Sequence, residues 1–578
     1  MVNKPFESKI QDIVYNVDVG IGLRLIKIGL YLLFILGLMV LYTATQFRGL
    51  REAEAMDQAQ VARNLMSGEG FSTKNIRPAS MWYLIEHGPG NPMMRGRPHP
   101  DIVHAPVYPA VLAAAFRALQ GYFSSDTGST IYLPEQRVIM PLGHLCTLIA
   151  GLLVFVLARR LFDPRVALLG VTLFFLSDAV WDMSISGLSI PLATVWVLLA
   201  ALLALGAARN RELNRPLLRW LIPLAFSALF CGLAFLTRYG LIVFAPALAL
   251  FIRWSFPERG VRWAAVYLAI VALVATPWLV RNYRVSGGLL GLAPYTALNG
   301  VNAVQDNDFE RTLAPEMKFD TTAKALQVKL FTGLDRLYRG PVRGLGDGLL
   351  GALFLTTFFF RFARDPVHRL RWCLALALAG LWFVGALYGE GAERLLYVIW
   401  PFALLYGLAF FFILLERLQL ALPILRVAII GALIFLSALP LFLRLLPPRA
   451  STPYPPYFAP YITHVCRMLK PDELLCTDMP WATAWYGDRS SLLLPLTIND
   501  FYTVNDYTKR VSGLYFTTLT RDRAYVRSLM TGSLRTWFPI LEGRIPNDFP
   551  LTQGFPLNNL DQLFLTDRPR WEEKPAGP

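Results

Sequence analysis

The chain has 578 residues, 55% hydrophobic and 16% charged, with a formal net charge of +15 and a mean hydropathy of +0.44. That balance excludes an ordinary soluble enzyme and a disordered chain. The basic excess does not mark a nucleic-acid partner, because the arginines gather in short turns between apolar runs, where they orient a membrane protein.

Residues 1–20 are polar and mixed, with no cleavable signal peptide, and 5–20 read as a cytoplasmic surface helix. The first span is expected at about 25–45, followed by an external loop over 46–133. The apolar segment 105–120 inside that loop is too short to cross a core that needs about twenty residues. Further spans are expected at about 137–158, 165–182, 187–207, 219–237, 239–253, 263–281, 345–361, 372–389, 395–415 and 427–446. The turns assigned to the cytoplasm carry Arg159, Arg160, Arg209, Arg211, Arg259, Arg262, Arg364, Arg369 and Arg417 among others, whereas Ser184–Leu188 and Gly389–Glu393 are poor in basic residues. About eleven spans with the N-terminus inside satisfy this pattern. That parity places loop 46–133, loop 282–344 and the tail 447–578 on one external face, with residues 1–446 as the transmembrane domain.

The tail reads as a small α/β domain. Helices are expected near 456–469, 480–486 and 521–531, with strands at 473–477, 491–495, 513–518 and 562–566. Cys146, Cys231 and Cys373 lie in apolar runs as inert thiols. Cys466 and Cys476 share the tail, where a disulfide and two free thiols both remain open. No Cys/His spacing matches a zinc site.

The organising stretch is Glu52 to Phe71, REAEAMDQAQVARNLMSGEGF from Arg51 onward. As a helix it puts Glu54, Asp57 and Gln58 on one side and Ala55, Ala59, Ala62 and Met66 on another. This predicts a short helix on the membrane surface, its small residues against protein or lipid and its acids facing an aqueous cleft. The alternative is a solvated amphipathic helix whose acids are its wet side.

Glu54 to Phe71, with Ala105-Pro-Val-Tyr-Pro109 further on, resembles the first external loop of GT-C polytopic glycosyltransferases of the protein mannosyltransferase and aminoarabinose transferase type. Gly187–Pro191, Gly232–Arg238, Thr276–Asn282 and the tail run Asp478–Pro495 are similar to segments of such chains. The resemblance covers most of the length and implies a mainly α, GT-C membrane fold with juxtamembrane helices. It implies an inverting transfer of a sugar from a polyprenyl-phosphate carrier to a glycan, lipid or protein acceptor on the extracytoplasmic face of the inner membrane. This chain departs from the pattern at Glu54, where the family has Asp, at Ala55, where it has a second acid, and at His104, where the aminoarabinose enzymes have a phosphate-contacting Lys.

Such chemistry needs a carboxylate to take the acceptor proton and cations to hold the leaving phosphate. Glu54 is the candidate base, with Asp57 one turn away as a co-catalyst, an acceptor ligand or a solvated acid. His104, Arg238, Arg281 and Arg394 are the phosphate candidates, each against the alternative of a residue that only reaches the headgroups. Tyr108, Asp178, Asp182, Glu390 and Glu393 are candidate sugar or acceptor contacts, with Glu390 and Glu393 also able to pair Arg394. Arg63 reads as structural or as a partner for Glu54 or the lipid phosphate. No cofactor is required, and Ala55 removes the paired acid through which some relatives bind a divalent metal. The stretch Asn299 to Glu310 in loop 282–344 is expected to cover the site as a lid. The rival classes are a polytopic lipid or solute transporter, against which no internal repeat is found, and a non-catalytic assembly subunit of the same fold.

Overall fold

The computed structural model describes residues 21–90, 93, 96–119, 131–315, 317, 319–339, 348–419, 422–446, 458–521, 532–555, 557 and 562–572. The expected helix over 5–20 lies outside them, as does nearly all of that over 521–531. Helix α1 (Ile21–Gln46) leads into a loop module of α2 (Ala53–Met66), β1 (Ser72–Thr73), β2 (Asn75–Ile76), α3 (Pro78–Glu86), β3 (His99–Pro100) and α4 (Val107–Ala118). There follow α5 (Met140–Leu161), α6 (Pro164–Phe175), α7 (Asp178–Ile185), α8 (Ile190–Glu212), α9 (Leu217–Thr237), α10 (Phe244–Ser255) and α11 (Gly260–Ser286). A second loop module carries α12 (Phe319–Arg339), and α13 (Gly348–Thr356), α14 (Asp365–Tyr388), α15 (Trp400–Arg417) and α16 (Pro423–Leu445) complete the helical body.

Among the described residues eight helices are long and apolar enough to cross a membrane: α1, α5, α8, α9, α11, α14, α15 and α16. The protein is an integral membrane protein. Helices α1, α11 and α16 bury only 17% of their apolar stretch and α8 buries 78%, which makes the first three lipid-facing and α8 central. The span expected over 165–182 is instead two helices, α6 and α7, bent by 54°. The break is held from inside, where the Trp181 indole N–H donates to the Phe175 carbonyl at 2.6 Å. The spans expected at 239–253 and 345–361 correspond to two shorter apolar helices, Tyr239–Ser255 and Gly348–Phe359. Helix α6 starts where Asp163 caps the amides of Arg165 and Val166 ahead of Pro164. Helix α11 stops at Gly287, with φ +73°, where a Cβ would lie 2.1 Å from the His87 carbonyl oxygen. Only glycine lets α11 end against the end of α3.

The C-terminal body comprises α17 (Ala459–Arg467), β4 (Leu474–Thr477), α18 (Pro480–Tyr486), β5 (Ser490–Leu493), α19 (Ile498–Tyr507), β6 (Val511–Phe516), β7 (Gln553–Phe555) and β8 (Leu563–Thr566). Its sheet runs β2-β5-β4-β6-β8-β7. The first four strands are parallel to one another, and β8 pairs antiparallel with β6 on one side and with β7 on the other. Strand β2 comes from the first loop module, so two distant segments build one sheet across the expected boundary at residue 446. Helix α19, with its Thr497–Asp500 capping box, and strand β7 are additional to the expected elements. Cys466 and Cys476 are both free and buried. Cys476 packs with Leu474 and Leu492, and Cys466 packs with the core reached by Leu475, so the two thiols belong to different core clusters.

Helix α2 is not a solvated amphipathic helix, and its small-residue face lies against protein. Residues Ala55–Asn64 are all buried, because α4 packs on one side of it and α18 of the C-terminal body on another. Arg63 is the clamp. Its guanidinium donates to the carbonyls of Ala484 (2.6 Å) and Trp485 (2.8 Å), pairs with Asp488 at 2.8 Å and stacks on the Trp485 ring. Arg63→Leu leaves two carbonyls without donors, and a loss of about 2–4 kcal/mol is expected. The check is thermal unfolding in detergent, with faster proteolysis of segment 458–572 in the variant.

Candidate active site

Helix α2 begins at the edge of a cavity of about 470 Å³ that Glu54, Gln58, His104, Arg238 and Tyr239 line on its polar side. The rest of the wall is largely apolar, with Phe235, Ile242, Leu290, Val384 and Leu395. Glu54 lies in the first turn of α2, and Arg238 caps the C-terminus of α9. The two form an ion pair, and Gln58 donates to the same Glu54 oxygen at 3.0 Å. Burial lifts the Glu54 carboxyl, but the Arg238 guanidinium outweighs it, with His104 and Arg394 adding, and holds it below its usual range. The second guanidinium nitrogen of Arg238, Nη1, and Gln58 Oε1 are buried without a partner among the described residues. A cation with a spare donor beside an ionised carboxylate is therefore built into this wall.

Asp57 does not face the cleft. It is 1% exposed and accepts from Arg77 (2.7 Å), Asn75 (2.8 Å) and Thr73 (3.4 Å). An α-helix advances about 100° per residue, so Gln58, four residues on, follows Glu54 into the cavity while Asp57, three residues on, turns into the loop module. His104 joins the same network. Its Nδ1–H donates to Asp101 at 2.7 Å, and its Nε2 sits 3.7 Å from Asp57. Burial alone would lower the His104 pKa, but the Asp101 and Asp57 carboxylates more than reverse this and push it up to about 9. His104 is thus a fixed cation at neutral pH in the cavity wall.

The other candidates divide. Arg394 pairs with Glu52 at 2.7 Å rather than with Glu393, and it adds positive charge near Glu54. Arg281 is committed elsewhere: it donates to the carbonyls of Asp101 (2.7 Å) and Phe71 (2.9 Å) between the Phe71 and Trp278 rings. It fastens the Gly-x-Gly-Phe turn to α11 and has no place in the cavity lining. Tyr108 is buried and donates to the Gly187 carbonyl at 2.6 Å. Asp178 and Asp182 bind Arg444 at 3.0 and 2.7 Å, with Tyr42 also on Asp178, and so tie α1, α7 and α16 together. Glu393 pairs with Arg336 of α12, and the Glu390 side chain lies outside the described residues. The Asn299–Glu310 stretch closes on itself where Asn299 donates to Glu310, which lies 3.5 Å from Arg77, and in its middle Asp306 accepts from the Ser533 amide.

Sequence reasoning missed Arg77 and Asp101. The Asp101–His104 spacing of three was a usable signal for the second; Arg77 had none. Among the described residues no group of three or more His, Cys, Asp or Glu is arranged to hold a metal ion.

This architecture defines a multi-pass membrane protein with the GT-C fold. The family described as dolichyl-phosphate-mannose-protein mannosyltransferase matches residues 126–280. Across 171 residues the chain is 26% identical to the undecaprenyl phosphate-alpha-4-amino-4-deoxy-L-arabinose arabinosyl transferase of Edwardsiella ictaluri, covering 28% of this chain and 30% of that one. The alignment therefore spans less than a third of that relative. ArnT from Cupriavidus metallidurans, solved bound to undecaprenyl phosphate, superposes with a TM-score of 0.55 over 95% of this chain and 99% of its own, at 10% identity. The oligosaccharyltransferase AglB of Archaeoglobus fulgidus, in complex with an inhibitory peptide and a dolichol-phosphate, gives 0.50 over 86% and 71%, at 14% identity.

The raised pKa fixes a pH dependence. The charged His104 pairing contributes stability that is complete below about 6.5, the ordinary histidine value, and is lost as pH rises through about 9. Nuclear magnetic resonance of ring-labelled histidine is expected to find His104 charged at pH 7.5. Asp101→Asn is expected to bring its titration down towards the ordinary value.

Proposed function

We propose that the protein is an inverting glycosyltransferase that moves one sugar from a polyprenyl-phosphate carrier to an acceptor at the extracytoplasmic face of the membrane. The N-terminus then lies in the cytoplasm and the sheet domain outside, as the arginine-rich turns favour. The observation that carries the reading is the Glu54–Arg238 pair, with its spare Nη1 and the neighbouring His104 cation, at the polar side of a cavity whose other walls are largely apolar. An amphiphilic lipid phosphate matches that division. The polyprenyl phosphates bound to ArnT and AglB support it.

In this reading the acceptor oxygen or nitrogen attacks the anomeric carbon opposite the phosphate. The bond from that carbon to the phosphate oxygen breaks, and its electron pair stays on the phosphate. Arg238 and His104 hold the growing negative charge, and Glu54 takes the acceptor proton. The incoming phosphate draws Arg238 partly away from Glu54, so the carboxylate becomes more basic once the donor is bound. Cations supplied by side chains do what a divalent metal does in other transferases, so we propose that no metal is needed.

Native mass spectrometry of the protein in mild detergent tests the donor class. Wild type is expected to retain a polyprenyl phosphate or its sugar conjugate, and Arg238→Gln to lose it. Glu54→Gln is expected to keep the sugar-loaded lipid and to turn over about 10²–10⁴-fold more slowly, with EDTA leaving wild-type turnover unchanged. Absence of such a lipid under conditions that preserve others overturns the donor assignment, and full activity in Glu54→Gln overturns the base.

A further inference from the structure

The end of α3 carries a separate pocket, of about 370 Å³, that the transfer chemistry does not use. One short turn of helix, Ala293–Leu298, divides it from the Glu54 cavity: Ala293, Pro294 and Thr296 line that cavity, and Tyr295 lines this pocket. Three rings form its walls. Trp82 stands nearly perpendicular to His87 (centroids 5.5 Å apart, 78°) and to Tyr295 (6.1 Å, 76°). Tyr83 stacks on His87 at 4.6 Å, and Phe309 lies almost parallel to Tyr295 at 6.0 Å. Tyr83 and Phe309 stand outside the lining. Each therefore backs one face of its partner ring and leaves the other face to the pocket.

The charge in this box is negative. Glu86 lines it and has no ion-pair partner among the described residues. The last turn of α3 holds no basic residue, so the negative end of the helix adds to the carboxylate. Pro315 and Met317 close the apolar side, and among the described residues no Lys or Arg lines the pocket. Aromatic faces carry negative quadrupole potential, and perpendicular rings beside a carboxylate are a setting for an organic cation. The surroundings say where such a cation comes from. Helix α11 is a lipid-facing span, and it ends at Gly287 directly against the His87 backbone. Ile85 beside Glu86, Tyr283 in the last turn of α11 and Leu289 just beyond it are all exposed. Exposed aromatic and apolar side chains at the end of a span mark the depth of the lipid headgroups.

We propose that the Trp82–His87–Tyr295 box is a binding site for the ammonium headgroup of a membrane phospholipid, with Glu86 as its counter-charge. The site holds the loop module to the bilayer surface beside α11. It stands apart from the transferase reading, since none of its residues touches the Glu54 cavity.

The probe is dioleoyl phosphatidylethanolamine, titrated into the full chain in mild detergent and read by native mass spectrometry, with dioleoyl phosphatidylglycerol as the acyl-matched control. Wild type is expected to bind the ethanolamine lipid at least about threefold more tightly than the glycerol lipid, as a cation over aromatic rings requires. Glu86→Gln removes the charge at an exposed position, and Trp82→Leu removes a wall. Each is expected to abolish the preference while polyprenyl phosphate stays bound in the first cavity. Equal binding of the two lipids by wild type, or a preference that survives both variants, overturns the site. Displacement of the lipid by O-phosphorylethanolamine, which has the same head and no acyl chains, at matched concentration overturns the lipid assignment in favour of a soluble amine. Failure to find polyprenyl phosphate in wild type, with the ethanolamine preference intact, strikes the transferase reading alone.

Discussion

One buried carboxylate organises the loop-and-sheet side of the molecule. Asp57 is almost wholly withdrawn from solvent, and a carboxylate in that position costs several kcal/mol unless cations and donors meet it. Arg77 from the start of α3, Asn75 from β2, Thr73 from β1 and His104 from the segment before α4 all converge on it. Satisfying one charge therefore fixes four pieces of chain. Arg77 extends the network to Glu310 in the second loop module, and His104 extends it to Asp101. The consequence for the cavity is a cation that does not depend on physiological pH.

The same economy appears where the loop module meets the membrane helices. Arg281 holds two backbone carbonyls between two aromatic rings. Trp278 donates to the Tyr239 hydroxyl, which itself donates to the His104 carbonyl. A guanidinium at the end of a span is thus used to stitch a turn to a helix, and its neighbour Arg238 is left for the cavity. Arg444 likewise pairs with Asp178 and Asp182 at the second arm of the bent α6–α7 pair. Buried charges here form geometry first. Only those with an unspent donor beside a cavity are free to act on a ligand.

Two cavities adjoin in this part of the fold, with one side chain common to both linings. Tyr388, at the end of α14, and the Gly389 turn lie between the cavity under α9 and the cavity under α12. The second loop module is fastened to α3 and to the C-terminal body at its Asn299–Glu310 end.

Much of the fold was legible because it follows from solvation. Long apolar runs must be helices in a bilayer, and β4, α18 and β6 announce themselves by apolar runs between turn residues. The likeness of Glu54–Phe71 and of later short segments to GT-C chains gave the architecture, and Glu54, His104 and Arg238 do meet in one cavity. Sequence could not decide which side chains were already spoken for. Asp57, Tyr108, Arg281, Asp178 and Asp182 look like site residues in one dimension, yet each is consumed by a partner tens to hundreds of positions away. The burial of α2 was hidden for the same reason: one of its faces is covered by α18, and the sheet that carries α18 is completed by a two-residue strand from the loop itself. Period and composition report what a segment can bury. Long-range pairing alone decides what covers it.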